Sequence, residues 1–252
     1  MSMNPPPPPE PPAFGTPPAG PPPPNGVDIG ETFRWAWKKF QENPATLVVG
    51  TLLLAVASGV VYFIAFLIFH GLFINSPSFD AETGTFSGGS GFFASIFVSA
   101  LVSALSSIAV YVFQANLVRV SLKTVDGAKP EIGELFVFEN LNKTIVTAAL
   151  LAAGTFVGTI LCYVPGLIFS VLAAYTIYFL VDNGKEPIDA IKSSISFVIA
   201  NIGTLIIVIL ASVAALIVGA ILCGVGLLVA IPVVILVNAH VFRTLTGGQI
   251  AA

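Results

Sequence analysis

The sequence predicts an all-α membrane protein: a bundle of six transmembrane helices, arranged as three parallel hairpin repeats, with amphipathic helices on the cytoplasmic side. Three observations predict it. The chain is 56% hydrophobic and 9% charged, where soluble domains carry about 25% charged residues. Four long stretches contain no Asp, Glu, Lys or Arg: Glu42 to Asp80, Glu82 to Arg119, Lys143 to Asp182 and Lys192 to Arg243. All 10 Lys and Arg residues fall in alternate connections between the apolar runs.

Residues 1–26 are a separate low-complexity segment dominated by Pro5–Pro9, Pro11, Pro12, Pro17, Pro18 and Pro21–Pro24. Proline lacks the amide hydrogen that helices and sheets need, so a disordered tail with polyproline II character is expected. Such a tail is either a solvating extension or a ligand for an aromatic-lined groove on a protein partner. The opening Met1-Ser2-Met3-Asn4 and the prolines after it lack a basic region followed by an apolar one. No cleavable signal peptide is therefore expected, and insertion relies on the first transmembrane helix.

A membrane domain over 27–248 follows. Its first element is amphipathic: Ile29, Phe33, Trp35, Trp37 and Phe40 recur around Arg34, Lys38 and Lys39. That pattern suits a helix lying in the lipid headgroup plane, or one packed on the protein's own cytoplasmic surface. A bilayer core takes roughly 20 apolar residues per helix. The first two charge-free stretches each supply one helix, at 45–74 and 92–118. The third is divided at Pro165-Gly166 into 144–163 and 165–181. The fourth is divided at Gly224 and Gly226 into 202–222 and 226–243.

Orientation follows from the cations. Arg34, Lys38 and Lys39 precede the first helix; Arg119, Lys123, Lys129 and Lys143 lie between the second and third; Lys185 and Lys192 lie between the fourth and fifth; Arg243 ends the sixth. Positive residues stay inside. Six crossings of the cell membrane with both termini cytoplasmic satisfy every loop.

The chain also repeats. Val125-Asp126-Gly127-Ala128-Lys129-Pro130-Glu131-Ile132 resembles Val181-Asp182-Asn183-Gly184-Lys185-Glu186-Pro187-Ile188, and Cys162 and Cys223 occupy matching positions in a second echo. Each unit is read as an amphipathic segment followed by a hairpin. The third segment is Pro187–Asn201. Small residues four apart (Ser95, Ser99, Ser103 and Ser107; Gly154 and Gly158; Ala211, Ala215 and Gly219) mark faces where helix backbones approach closely.

Little chemistry is legible. The spans hold no Asp, Glu, Lys or Arg in their interiors, which argues against ion- or proton-coupled transport. His70 and His240 fall on opposite sides and cannot share a metal. Gln114, Asn116 and Asn238 are placed to hydrogen-bond between helices. Cys162 and Cys223 face the oxidising side, as a disulfide between hairpins or as two free thiols. Asp80 and Glu82 lie in a Gly/Ser-rich loop. No nucleophile with a base, paired acid or phosphate-binding glycine loop is present, so no enzyme activity, metal or cofactor is expected. The net charge of −3 suggests no nucleic-acid partner.

Gly30-Glu31, Trp35-Ala36-Trp37-Lys38-Lys39-Phe40 and Asn43-Pro44 after a proline-rich tail resemble a group of uncharacterised actinobacterial polytopic membrane proteins. So do Cys162-Tyr163-Val164-Pro165-Gly166, Asp182 with Pro187-Ile188-Asp189-Ala190-Ile191-Lys192-Ser193-Ser194, and Cys223-Gly224-Val225-Gly226-Leu227. The likeness covers residues 28–248 and extends loosely to the membrane domain of some glycerophosphodiester phosphodiesterases. It implies a membrane bundle in a bacterial cell membrane and carries over no site residues. Two functions remain: a non-enzymatic scaffold or accessory factor of the cell envelope, or a transporter or channel for a small neutral or lipidic solute. A reporter that is active only in the cytoplasm, fused after Ala252, is expected to be active; signal from an exported reporter at that position would overturn the orientation.

Overall fold

Asp28 starts the first helix: its carboxylate accepts the N–H of Glu31 at 2.9 Å, satisfying a donor the helix cannot pair. The computed structural model describes residues 27–73, 79–80, 85–86, 107–108, 110–137, 139–161, 163–222 and 225–251. The helices are α1 (Ile29–Glu42), α2 (Pro44–Phe73), α3 (described over 110–125), α4 (Leu141–Leu161), α5 (Tyr163–Leu172), α6 (Thr176–Asn183), α7 (Pro187–Ala200), α8 (Ile202–Ile221) and α9 (Leu227–Thr246). A 3-10 turn spans Ile132–Phe136, and two-residue strands, β1 (Phe79–Asp80) and β2 (Thr85–Phe86), pair antiparallel.

Among the described residues five helical stretches are long and apolar enough to cross a bilayer: Pro44–Ile64, Leu141–Gly158, Val164–Asn183, Ile202–Ile221 and Leu227–Thr246. Their outer faces are apolar and uncovered, as at Leu52, Val56 and Phe63 on α2 and Ile206, Leu210 and Ile217 on α8. Contiguous apolar faces of this kind suit acyl chains and not water. The chain is a multi-pass membrane protein. Most of the expected span at 92–118 lies outside the described residues, as do the tail 1–26, Cys162 and Cys223, and Ser95, Ser99 and Ser103.

Three spanning helices start the same way. The carbonyls of Asn43, Asn140 and Asn201 accept the N–H groups of Leu47, Thr144 and Leu205, four residues on. Three helices also end the same way, α3, α6 and α9 being followed by Gly127, Gly184 and Gly247 with φ of 93°, 59° and 74°. A side chain there would meet the following carbonyl, so glycine ends the helix at little cost.

The structure moves one turn. α4 runs to Leu161 and α5 starts at Tyr163, so Pro165 and Gly166 lie inside α5 instead of forming the turn. Proline is tolerated there because first-turn N–H groups lack intrahelical partners anyway. Gly166 serves packing: a Cβ on Gly158 would lie 2.6 Å from its Cα, so α4 and α5 touch backbone to backbone. Gly219 and Gly226 make the same close approach between α8 and α9.

The expected single helix at 165–181 is broken at residues 173–175 into α5 and α6. Ser194 of α7 repairs the break. Its fully buried hydroxyl accepts the Tyr175 N–H at 3.1 Å and donates to the Leu172 carbonyl at 2.8 Å. Below it Tyr175, Tyr178, Phe179, Phe197 and Phe242 pack ring on ring, with Phe242 at the centre of the buried core. Ser194→Ala leaves two backbone groups unpaired at a dry site. It is expected to lower stability by about 1–3 kcal/mol, read as an earlier unfolding midpoint in detergent.

Candidate functional site

The charged side chains that pair with one another gather at one end of the bundle. Arg243, in the last turn of α9, reaches two carboxylates. Its Nε and Nη2 donate to Asp126 Oδ1 and Oδ2 at 2.8 and 2.7 Å, and its Nη1 lies 2.6 Å from Asp182 Oδ1. Asp126 follows α3 and Asp182 ends α6, so one guanidinium ties three helix ends together. Its planar fork suits two carboxylates at once. The Arg243 and Asp182 side chains are 15% and 17% exposed, while Asp126 is 44% exposed. The Asp182 arm is therefore the less screened of the two.

The chain's last described residues close the same end. Ala251 N–H donates to the Val125 carbonyl at 2.8 Å, and its own carbonyl accepts Trp35 Nε1–H at 3.0 Å. Residues after α9 thus bridge α1 and α3. Thr32, Ala36 and Phe40, four apart, bury one face of α1 within the protein, where it packs against α9. Ile29, Phe33 and Trp35 are part-buried beside that stripe. Arg34, Trp37 and Lys38 point outward, while Lys39 forms an ion pair with Glu42 at 3.4 Å.

The α3–α4 connection is held by side chains of α3. Asn116 donates to the Leu135 carbonyl at 3.1 Å, Arg119 donates to the Val137 carbonyl at 2.8 Å, and Lys123 pairs with Glu134. Asn238 accepts the Tyr175 hydroxyl at 2.9 Å, joining α9 to the α5–α6 break. His240 lies half-buried with its ring 4.8 Å from that of Trp35. The side chain of His70 lies outside the described residues.

Gln114 lines a cavity of about 260 Å³ with Tyr111, Thr155 and Ser170, between α3, α4 and α5. Two further hollows open at the charged end: about 440 Å³ beside Lys39, Glu42 and Lys129, and about 450 Å³ between α4 and α7. Among the described residues no group of three His, Cys, Asp or Glu could hold a metal ion.

Residue-level reading of the sequence missed the Arg243 junction and the Ser194 bridge. A signal for the first was present: Asp126 and Asp182 occupy one position of the repeated connector, and Arg243 is the cation that ends the last apolar run. Ser194 stands at the end of the family-like run Pro187–Ser194, but that run did not reveal its role, which depends on a helix break in another segment. Arg243→Gln removes the common partner of two carboxylates. It is expected to cost roughly 2–4 kcal/mol, given that one arm is partly solvated. Asp182→Asn should cost more than Asp126→Asn when unfolding midpoints are compared.

The uncharacterized protein Rv2560 of Mycobacterium tuberculosis (strain ATCC 25618 / H37Rv) is 36% identical to this chain over 230 residues, covering 90% of this chain and 71% of the relative. The uncharacterized protein Mb2590 of Mycobacterium bovis (strain ATCC BAA-935 / AF2122/97) matches with the same identity and coverage. No family model matches the sequence. No solved structure matches it.

Proposed function

The chain belongs to the family of these uncharacterized mycobacterial proteins, and from that premise we propose that it is a non-enzymatic scaffold or accessory factor of the cell membrane. It crosses the bilayer six times with both termini in the cytoplasm. The observation that carries the scaffold reading is the cross-linked charged end. Arg243 joins α3, α6 and α9, the chain after α9 bridges α1 and α3, and an aromatic cluster fills the space between α6, α7 and α9. An end tied this way resists the rocking that alternating access requires. It instead offers a fixed cytoplasmic platform, with the proline-rich residues 1–26 as an extended arm for a protein partner.

The three recurring asparagine starts and the three left-handed glycine ends support three parallel units, and with them a sixth span over 92–118. In that arrangement α1, the 3-10 turn and α7 lie at the cytoplasmic interface. Outward Trp37, Phe136 and Ile188 meet the headgroup region, where aromatic and apolar tips are at home. The likeness to the membrane domain of some glycerophosphodiester phosphodiesterases belongs to the same reading, as a lipid-embedded accessory module.

One observation favours transport of a small neutral solute: the cavity beside Tyr111 and Gln114, which has polar groups at span depth. At about 260 Å³ it is smaller than the roughly 300–1,000 Å³ of sites for drug-sized ligands.

Two measurements separate the readings. Affinity capture with the full chain is expected to recover proteins that a chain lacking residues 1–26 does not; an unchanged set overturns the role of the arm. Vesicles containing the purified protein are expected to leak neutral solutes no faster than empty vesicles. Solute flux that falls with Gln114→Leu would replace the scaffold with a transporter.

A further inference from the structure

The hollow between α4 and α7 has the build of a phospholipid site. Its upper rim is charged: Lys143 Nζ lies 2.7 Å from Glu186 Oε1, with the side chains 36% and 66% exposed, and Asn142 stands beside them. Its floor is apolar, formed by Val146 and Leu150 on α4 and Pro187 and Ile188 on α7. Val146, Leu150 and Ile188 are all exposed despite lining a concave surface.

Depth tells which medium fills it. Leu141–Gly158 is one of the stretches long and apolar enough to span a bilayer, and the groove runs along its first turns. Lys143 to Leu150 is about 10 Å along a helix at 1.5 Å per residue. The groove thus starts at a charged rim and descends along an apolar wall facing lipid. A glycerophospholipid has the same order, a charged head above acyl chains. Water would leave the floor unsolvated, and a soluble peptide could not reach it from within the bilayer.

The charge pattern selects the headgroup. The rim carries one cation and one anion side by side, and among the described residues no second cation lines the groove. An anionic headgroup would gain Lys143 but meet Glu186. A zwitterionic phosphoethanolamine complements both, its phosphate toward the Lys143 ammonium and its amine toward the Glu186 carboxylate, each a charge-assisted hydrogen bond. Both side chains are exposed enough to turn from each other toward such a ligand. We propose that the α4–α7 groove holds a phosphoethanolamine glycerophospholipid, with Lys143 and Glu186 reading the head and Val146, Leu150 and Ile188 seating the chain. The inference rests on the multi-pass fold and not on the scaffold reading, so either can fail alone.

Native mass spectrometry of the full chain in detergent tests it, with equal phosphatidylethanolamine and phosphatidylglycerol of matched acyl chains. The unmodified protein is expected to retain phosphatidylethanolamine at least about fivefold over phosphatidylglycerol, a margin typical of one recognised charged group. Glu186→Gln should erase that preference. Val146→Trp, which fills the floor without touching the rim, should lower retention of both lipids while the unfolding midpoint holds. Equal retention by the unmodified protein, a preference for phosphatidylglycerol, or a preference that survives Glu186→Gln each overturns the proposal. Because the lipid comparison uses the unmodified protein, it decides even if a variant fails to fold.

Discussion

Inside a bilayer no water is at hand to satisfy a peptide N–H or C=O, so every backbone group in a spanning segment must find its partner within the protein. The α5–α6 break is where this constraint is felt most sharply. Residues 173–175 interrupt the helical ladder, and a hydroxyl from a different segment completes it. Ser194 lies on α7, which thereby becomes part of the span it flanks. The aromatic cluster under it then fixes how α6, α7 and α9 sit against one another. The two glycine contacts, Gly158 with Gly166 and Gly219 with Gly226, draw their hairpins close enough for dispersion to replace the hydrophobic drive that lipid removes.

The charged end obeys the complementary rule. Ions avoid the hydrocarbon, so they collect where the helices leave it, and there they can pair. Arg243 with Asp126 and Asp182 joins ends that are far apart in sequence, and Ala251 adds a backbone link to Val125 and accepts the Trp35 indole N–H. The same logic leaves the outer faces of α2 and α8 bare, because lipid solvates them without help. A bundle tied at one end and apolar along its flanks is consistent with the proposed scaffold.

Much of this was legible in the sequence because hydrophobicity is a property of runs, not of single residues. The start of α2 just after Glu42 follows from where charges stop, the end of α8 from the glycines that divide its charge-free stretch, and the amphipathic α7 from its spacing of apolar residues. The dual character of α1 was also legible, with an apolar stripe between basic residues. The split of its aromatic residues was not: Phe40 is buried and Trp37 exposed, which only the packing of the neighbouring helices decides. Pro165-Gly166 was read as a turn by its composition, yet the neighbouring Gly158 makes a helix with close backbone packing the better use of that pair.

The sequence by itself determined the medium, the apolar stretches long enough to span it and the gathering of cations between those stretches, because each follows from the free energy of moving residues between water and lipid. Only the tertiary structure decided which carboxylates meet Arg243, that Ser194 mends a broken span, and that Lys143 and Glu186 crown an apolar groove. Those are pairings between distant segments. A hydrogen bond or ion pair depends on distances of a few ångströms that helix packing sets and local sequence does not encode.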